Sequence, residues 1–337
     1  MLRHSFILKD FLKSLDNDRE YSSTWENDCT MKTVLITTSS FGHDDHSPLE
    51  MIKSAGLRCV LNPYGRKLIR EELVTLLQEY QPNYIIAGIE EYDRRVLSEE
   101  APFLKMISRC GTGVDNIDLV AARELGIEIT NTPDAPTRSV AELTIAVILD
   151  LLRGVSYLDR NVRDGKFDKH MGNLLNKKTV GLVGCGRIGS SVAKLLVAFG
   201  CRVIGYDSFI DTHEDVDLVT FDELLKQADI ISLHIPYTEK SKHVIDATAI
   251  EKMKDGVIVL NISRGGLVDE SALYSALVSG KIKAAGVDCF EEEPYTGSLT
   301  ELDNVVLTPH IGSYAIEARI EQEIASVKNI LEYNKNG

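Results

Sequence analysis

Short runs of apolar residues alternate along the chain with stretches in which apolar residues recur every three or four positions, beginning at Thr33. The first pattern is typical of buried strands and the second of amphipathic helices. Up to residue 130 these patterns predict helices at 71–79 and 119–125 and strands at 34–37, 57–61, 84–87, 106–109 and 127–130. This alternation predicts a small doubly wound α/β domain with a parallel sheet.

A second series of strands begins after the proline-punctuated segment Asn131-Thr-Pro-Asp-Ala-Pro136 and a long predicted helix at 137–152. Its six predicted strands lie at 180–183, 202–206, 230–234, 257–261, 284–288 and 305–308. Six parallel strands with crossover helices make a complete Rossmann domain. The last predicted helix, from about residue 315, has no place left in that sheet, so we expect it to return to the first domain.

The predicted fold class is therefore α/β, with two doubly wound parallel-sheet domains and a cleft between them. A Rossmann domain of residues 131–312 is inserted in a flavodoxin-like domain of residues 31–130 plus 313–337. Residues 1–30 are heavily charged and lack the apolar core of a signal peptide, so we expect an N-terminal extension outside the fold. A short partner-docking helix is the alternative interpretation of that extension.

The segment Thr179-Val-Gly-Leu-Val-Gly-Cys-Gly-Arg-Ile-Gly189 carries a G-x-G-x-x-G turn between a predicted strand and a predicted helix. Gly184 permits the tight turn, Gly186 lets the backbone approach a pyrophosphate, and Gly189 allows the helix to pack closely on the strand. The helix N-terminus offers N–H groups and a partial positive charge to phosphates. An ordinary glycine-rich turn is the alternative interpretation.

Asp207, which follows the next predicted strand, favours the first of these interpretations. Its carboxylate at the strand tip can accept hydrogen bonds from both hydroxyls of an adenosine ribose. A 2′-phosphate at the same place would meet like-charge repulsion. Strand, turn, helix, strand and terminal acid together predict that the chain binds NAD rather than NADP.

The composition is that of a globular protein without nucleic-acid or membrane partners. The 337 residues are enough for two domains, and the formal net charge of −14 disfavours nucleic acid and anionic membrane surfaces. The six cysteines are scattered without C-x-x-C pairs, which argues against a disulfide framework and a zinc site. We therefore predict no metal and a cytoplasmic location. Cys185 lies near a helix N-terminus that could lower its pKa, but we interpret it as a space-filling residue.

Three polar motifs follow the late strands, at the end of an open α/β sheet where ligands bind. They are Asn261-Ile-Ser-Arg-Gly-Gly266, Asp288-Cys-Phe-Glu-Glu-Glu-Pro294 and Thr308-Pro-His-Ile-Gly-Ser313. Hydride transfer to a 2-keto acid needs a cation for the carboxylate, a proton donor for the oxygen and a carboxylate that orients this donor. Arg264, His310 and Glu293 suit these roles in that order.

Each of these three residues has an alternative interpretation. Glu291 and Glu292 are equally acidic neighbours that could orient the proton donor instead of Glu293. Pro294 restricts the backbone after Glu293 and therefore favours Glu293. A surface ion pair for Arg264 and an ordinary loop histidine for His310 are the alternatives.

From about Thr33 to its C-terminus the chain resembles the D-isomer-specific 2-hydroxyacid dehydrogenases, most closely the phosphoglycerate dehydrogenase-like branch. Besides the glycine turn, the motifs in the family's order are Arg109-Cys-Gly-Thr-Gly-Val-Asp-Asn-Ile-Asp118, Asn131-Thr-Pro133, Ala141-Glu-Leu143, Leu233-His-Ile-Pro236, Asn261-Ile-Ser-Arg-Gly-Gly-Leu-Val-Asp269, Glu293-Pro294 and Pro309-His-Ile-Gly312. The resemblance implies that Arg264, Glu293 and His310 are catalytic. It also implies that backbone N–H groups around Thr112 and Gly113 bind the substrate carboxylate, together with Arg264 and His310.

The resemblance further implies the cofactor contacts and the assembly. Besides the three glycines, the expected cofactor-binding residues are Arg187, Ile188, Asp207, His234, Pro236, Ile262, Asp288 and Gly312. The family implies a homodimer built through the NAD domain. We expect its contacts to come from the helix at 137–152 and the stretch Asp164-Gly-Lys-Phe167.

The chain departs from the phosphoglycerate dehydrogenase-like branch after its third strand. The branch typically carries an arginine there for the substrate phosphate, whereas this chain has Ala87-Gly88-Ile89-Glu90-Glu91. Two acids at that place would repel a phosphate, so the substrate of the branch does not transfer directly to this chain.

The predicted function is that of an NAD-dependent oxidoreductase, which interconverts a small D-2-hydroxy acid and its 2-keto acid by hydride transfer. An NAD(H)-sensing, corepressor-like interaction protein on the same fold is the alternative from a different class. A formate or phosphite dehydrogenase is a third interpretation. The formate enzymes of this superfamily usually have glutamine where Glu293 stands, which counts against that variant.

Overall fold

The computed structural model describes residues 31–336, so the predicted N-terminal extension lies outside the described residues. The described chain forms two compact units, one of residues 31–110, 114–132 and 323–336 and one of residues 111–113 and 133–322. Each unit is built on one parallel sheet, which confirms the predicted α/β class with two parallel-sheet domains. The predicted limits of the two domains stay a prediction. No helix within residues 31–336 is long and apolar enough to cross a membrane.

The first unit contains a five-stranded parallel sheet. Its strands are β1 (Thr33–Ile36), β2 (Arg58–Leu61), β3 (Tyr84–Ala87), β4 (Met106–Arg109) and β5 (Glu128–Asn131). Their order in the sheet is β2-β1-β3-β4-β5, the order of flavodoxin-like folds. Every strand lies within one residue of its predicted position. The helices are α1 (Ser47–Ser54), α2 (Arg70–Tyr80) and α3 (Leu119–Glu124), with a short π-helix at Val96–Glu100.

Strict alternation of side chains along the strands gives the first sheet a packed layer on each face. Leu35 and Ile85 belong to the layer that also contains buried residues of α2 and α3. Val34 and Ile86 belong to the other layer, which contains buried residues of α1 and of the last helix of the chain. This last helix spans Ile316–Asn336, and its residues Val327 and Ile330 are completely buried against the first sheet.

The second unit contains a seven-stranded parallel sheet. Its strands are β6 (Thr179–Val183), β7 (Arg202–Tyr206), β8 (Asp217–Leu218), β9 (Ile230–Leu233), β10 (Val257–Asn261), β11 (Ile282–Val287) and β12 (Val305–Leu307). Their order is β12-β11-β10-β9-β6-β7-β8, so the strand order reverses between β6 and β9. The predicted count of six strands was wrong. The seventh, β8, is a two-residue edge strand, which is too short to show any periodicity.

Helices cover both faces of this second sheet. They are α4 (Thr137–Arg153), α5 (Val155–Arg163), α6 (Arg187–Ala198), α7 (Phe221–Gln227), α8 (Ala247–Lys252) and α9 (Glu270–Ser279). Single turns of 3₁₀-helix occur at Leu175–Lys177 and Ser298–Glu301. One core layer contains residues of α4 and α6, and the other contains residues of α7, α8 and α9. The predicted long helix is α4, but the chain turns at Gly154, where φ is +65°, and continues as α5, which buries none of its residues.

Candidate active site

The glycine turn lies at the point where the strand order of the second sheet reverses, between β6 and α6. Gly184 has a φ of +96°, and a Cβ there would lie 2.6 Å from the carbonyl oxygen of His234, which follows β9. A Cβ on Gly189 would collide with the carbonyl oxygen of Gly184, so helix and turn pack too closely for a side chain. A Cβ on Gly186 would meet nothing within 4 Å. The three glycines therefore have the local geometry that a dinucleotide-binding turn requires.

The peptide groups around Cys185 are held on both sides of the residue. Its N–H donates to Asp207 Oδ2 at 2.8 Å, and its carbonyl accepts from Ser190 Oγ at 2.8 Å. Ser190 Oγ also lies 2.8 Å from His213 Nε2, and His213 Nδ1 accepts from the N–H of Asp215 at 3.0 Å. Because Ser190 donates its hydroxyl hydrogen to the carbonyl of Cys185, His213 donates to Ser190. Asp207 thus holds one side of the glycine turn. Ser190 and His213, which sequence reasoning missed, hold the other side.

The thiol of Cys185 fills space between these contacts. It is buried, and burial together with the nearby Asp207 carboxylate raises its pKa to about 11. The expectation that the helix N-terminus lowers this pKa was therefore wrong, because desolvation outweighs the helix dipole. The interpretation of Cys185 as a space-filling residue agrees with its burial.

The two residues after Gly186, in the first turn of α6, differ in exposure. Arg187 is exposed, and its Nε forms an ion pair with Asp134 Oδ1 at 2.6 Å. Ile188 is half-buried and packs against the core layer between α4 and α6.

The remaining predicted cofactor residues follow β9 and β10. Pro236 is exposed, and Ile262 is buried directly after β10. The ring of His234 has Nε2 at 2.9 Å from Ser232 Oγ, and its buried Nδ1 has no hydrogen-bond partner among residues 31–336. Burial lowers the pKa of His234 to about 4, so the ring is neutral at physiological pH. A buried nitrogen without a partner beside the glycine turn is a ready contact for a bound molecule.

Asp288, directly after β11, is completely buried and holds the segment that carries His310. Its Oδ1 accepts from Thr308 Oγ1 at 2.6 Å and from the N–H of Ile311 at 2.8 Å. Its Oδ2 accepts from the N–H of Gly312 at 2.8 Å. Gly312 is buried, and a Cβ there would lie 3.2 Å from Asp288 Oδ2. Asp288 therefore positions the segment that carries His310. Its expected contact with nicotinamide stays a prediction.

His310 and Glu293 form a hydrogen-bonded pair. His310 Nδ1 lies 3.0 Å from each carboxylate oxygen of Glu293, and both side chains are partly exposed. The N–H of Phe290 also donates to Glu293 Oε1, at 3.1 Å. Glu291 instead pairs with His243 at 2.8 Å, and Glu292 is exposed. Of the three neighbouring acids, Glu293 is the one that reaches the imidazole of His310.

Arg264 lies in a turn that packs directly on the segment leading to Glu293. Asn261 Nδ2 donates to the carbonyl oxygens of Arg264, at 2.8 Å, and Cys289, at 3.4 Å. A Cβ on Gly265 would collide with the backbone of Phe290. Arg264 Nη1 donates to the carbonyl of Ser263 at 2.8 Å. The tips of β10 and β11 are thereby fixed to each other through backbone contacts.

The predicted substrate-binding residues Thr112 and Gly113 come shortly after β4. Thr112 is exposed and Gly113 is half-buried. Their expected role in binding a carboxylate through backbone N–H groups stays a prediction.

Comparisons with known proteins identify relatives over almost the whole described chain. The family model of the D-isomer specific 2-hydroxyacid dehydrogenase NAD-binding domain matches residues 145–312. A hydroxypyruvate reductase of Thermotoga maritima is 42% identical over 280 residues, which are 78% of this chain and 92% of that protein. A D-3-phosphoglycerate dehydrogenase of Archaeoglobus fulgidus is 41% identical over 274 residues, 79% of this chain but only 52% of that protein. The crystal structure of the TT0316 protein from Thermus thermophilus superposes with a TM-score of 0.83 at 35% identity, covering 90% of this chain and 97% of that one.

The neutral, half-buried ring of His234 predicts a specific acid sensitivity of folding. Its pKa is about 4 in the folded protein, against an ordinary value of 6.5. Between these values the unfolded chain binds a proton that the folded chain does not, so stability falls as the pH drops from about 6.5 towards 4. Between pH 7 and pH 5 we expect the wild type to lose up to about 2 kcal/mol more unfolding free energy than His234→Asn, measured by urea denaturation without NAD.

His43→Asn is the matched control, because His43 is an exposed histidine. We expect it to keep the full pH dependence of the wild type. Equal losses in the wild type and in His234→Asn would contradict the assignment of a neutral, half-buried His234.

Proposed function

This chain belongs to the D-isomer-specific 2-hydroxyacid dehydrogenase family and is an NAD-dependent oxidoreductase, and we propose that Arg264, His310 and Glu293 carry out its reaction. The reaction interconverts a D-2-hydroxy acid and its 2-keto acid. The observation that carries the proposal is the His310–Glu293 pair. It lies beside the turn of Arg264, because the Asn261 side chain donates to the carbonyl oxygens of both Arg264 and Cys289. The comparisons give no support to the corepressor-like alternative.

The residues around the glycine turn fit NAD. Open space over Gly186 and the N-terminus of α6 would receive the pyrophosphate, and Asp207 would accept from the ribose hydroxyls. Bound NAD or NADH accepts or supplies the hydride. We assign the remaining contacts to the residues that line the same sheet edge, namely Arg187, Ile188, His234, Pro236, Ile262, Asp288 and Gly312. The partnerless Nδ1 of His234 supports this assignment.

We assign proton transfer to His310 Nε2, since Nδ1 faces Glu293. In the reductive direction, Nε2–H donates to the keto oxygen and the ring becomes neutral. In the oxidative direction, neutral Nε2 takes the hydroxyl proton, and the carboxylate of Glu293 stabilises the imidazolium that forms. Glu293 also fixes the ring orientation through two equal Nδ1 contacts.

We assign substrate binding to Arg264 and to the backbone around Thr112 and Gly113. A guanidinium can hold a carboxylate with two parallel N–H···O bonds, which orients the adjacent keto carbon. Two contacts support a fixed backbone position for Arg264. Gly265 packs directly on the backbone of Phe290, and Asn261 donates a hydrogen bond to the carbonyl of Arg264.

We propose that the substrate is a small unphosphorylated 2-keto acid, with hydroxypyruvate as the first candidate. Glu90, after β3, is buried, and its carboxylate accepts from Thr37 Oγ1 at 2.8 Å. A buried acid stands where the phosphoglycerate dehydrogenase-like branch carries an arginine, and it disfavours a phosphate by charge repulsion. Similarity to a hydroxypyruvate reductase, 42% identical over 280 residues, supports the choice of hydroxypyruvate as first candidate.

Replacing His310 by Ala is expected to lower kcat by at least ~10²-fold, the usual contribution of a positioned general acid–base. The measurement is NADH oxidation at saturating hydroxypyruvate or glyoxylate. His243→Ala is the matched control, because His243 also pairs with a glutamate of the same segment, at 2.8 Å. We expect the control to stay within about threefold of the wild type. Near-normal turnover of His310→Ala would refute the catalytic assignment.

The substrate proposal predicts a kcat/KM for hydroxypyruvate or glyoxylate at least ~10-fold above that for 3-phosphohydroxypyruvate, which corresponds to about 1.4 kcal/mol. Glu90→Gln keeps a hydrogen-bond acceptor for Thr37 but removes the charge, so we expect it to narrow this ratio. Glu91→Gln, at an exposed neighbouring acid, should leave the ratio unchanged. A wild-type preference for the phosphorylated acid would overturn the proposal.

We also propose a homodimer that uses the surface around α5, and residence in the cytoplasm. Cys59, Cys185, Cys201 and Cys289 are free thiols, which supports a reducing compartment. The side chains of Phe167 and Met171 are 83% and 91% exposed, and with Leu158 and Val162 they line a cavity of about 510 Å³. Large exposed apolar side chains grouped on one surface are typical of an interface.

The dimer proposal predicts that the full chain elutes at twice its mass of 37.4 kDa in size-exclusion chromatography with light scattering. The double variant Phe167→Asp, Met171→Asp should elute as a monomer, since it buries charge in the interface. Phe103→Asp changes an exposed phenylalanine outside this surface and should remain dimeric. A monomeric wild type at micromolar concentration would contradict the proposal.

A further inference from the structure

A thiol, a carboxylate and an imidazole come together at the tips of β11 and β12. Each of Cys289, Glu293 and His310 offers one potential ligand atom, and these atoms all lie within 4.8 Å of one another. Thiolate sulfur, imidazole nitrogen and carboxylate oxygen are the three ligand types that zinc takes in proteins. The spacing of cysteines gives no hint of this cluster, because it contains one cysteine rather than a C-x-x-C pair.

We propose that Cys289, Glu293 and His310 form a reversible, inhibitory binding site for a divalent cation of the zinc class. The proposal rests on the proposed function, since two of its ligands are the acid–base pair of that reaction. It adds Cys289, a residue outside the proposed acid–base pair and outside the predicted substrate and cofactor contacts.

The spacing of the three groups suits a tetrahedral ion. Ligands about 2.0–2.3 Å from zinc lie roughly 3.4–3.6 Å from one another. His310 Nδ1 is 3.0 Å from both oxygens of Glu293, so an ion can take the place of the proton between them with a small separation of the pair. Closing the cluster onto Cys289 from at most 4.8 Å requires a shift of about one ångström.

The cluster is closed to solvent at Cys289 and open to solvent at His310 and Glu293. The side chains of His310 and Glu293 are 43% and 38% exposed, whereas Cys289 is 2% exposed. A cation can therefore enter from the side of the imidazole and keep a water molecule as its fourth ligand. Catalytic zinc sites have the same arrangement of three protein ligands and one open position.

Binding displaces a proton and involves no oxidation or reduction. Burial raises the pKa of the Cys289 thiol, so its sulfur carries a proton before the ion binds. The S–H bond breaks as the S–metal bond forms, and that proton passes to solvent. His310 binds the ion through the Nδ1 lone pair of its neutral ring, in the tautomer that carries the hydrogen on Nε2. With Nδ1 and Glu293 occupied by the ion, the ring can no longer become an imidazolium, so turnover stops.

Cys289 can be changed without touching the acid–base pair. Its Sγ donates a long hydrogen bond, 3.4 Å, to the carbonyl of Ser263. Cys201 is a matched control, because its Sγ also donates a long hydrogen bond, 3.5 Å, to a backbone carbonyl, that of Leu175. Cys289→Ala and Cys201→Ala therefore remove comparable thiols, one inside the cluster and one outside it.

The test uses Co²⁺ as a spectroscopic probe on the full chain, followed by displacement with Zn²⁺. We expect the wild type and Cys201→Ala to show thiolate-to-cobalt charge-transfer absorption with the visible bands of tetrahedral cobalt. Cys289→Ala should lose the charge-transfer band and bind Co²⁺ at least tenfold more weakly. In NADH oxidation, its activity without metal should stay within threefold of the wild type, while the Zn²⁺ concentration for half-inhibition rises at least tenfold.

Wild-type protein that shows no charge-transfer band, or Cys289→Ala that remains as sensitive to Zn²⁺ as the wild type, would overturn the proposed site. The spectroscopic measurement does not depend on turnover. A Cys289-dependent cobalt band in a protein inactive towards every 2-keto acid would therefore refute the proposed function while supporting the metal site.

Discussion

The buried carboxylate of Asp288 is the constraint on which the geometry of the active site depends. It lies directly after β11 and is completely inaccessible, so the protein itself must supply donors for its charge. All three donors described come from residues 308–312, the segment that carries His310. Because a buried carboxylate that loses a donor costs on the order of 1–3 kcal/mol, this segment has little freedom to move. The imidazole is consequently held where Glu293 reaches it.

Parallel pairing brings chemically different groups to one sheet edge. β10, β11 and β12 are neighbours in the sheet, and Arg264, Glu293 and His310 each follow the end of one of them. Since neighbouring strands are only about 4.8 Å apart, residues far apart in the sequence approach one another where the strands end. The same edge continues through β9, β6 and β7, where His234, the glycine turn and Asp207 follow. The residues proposed for proton transfer and those proposed for cofactor binding thus follow strands of one sheet.

Asp207, the residue proposed to bind the adenosine ribose, also holds the shape of the glycine turn. Its Oδ2 accepts from Cys185 within the turn and its Oδ1 accepts from Phe209. A carboxylate oxygen has more than one lone pair, so these bonds leave acceptor capacity for ribose hydroxyls. The acid to which we assign discrimination against a 2′-phosphate is therefore also one that keeps the turn in shape. Ser190 and His213 hold the opposite side of the same peptide.

Local patterns determined much of the architecture. Periodicity located the five strands of the first sheet to within one residue, and each glycine of the turn has a local steric reason that the sequence displays. Tertiary structure alone decided which partners the polar side chains have. Glu291, Glu292 and Glu293 are chemically alike, and their distances from His310 depend on how β11 and β12 end beside each other. The same holds for the donors of Asp288, the His213–Ser190 contact and the position of Cys289. Secondary structure follows from neighbours along the chain, whereas hydrogen-bond partners 10 to 25 residues apart depend on which strand tips are adjacent.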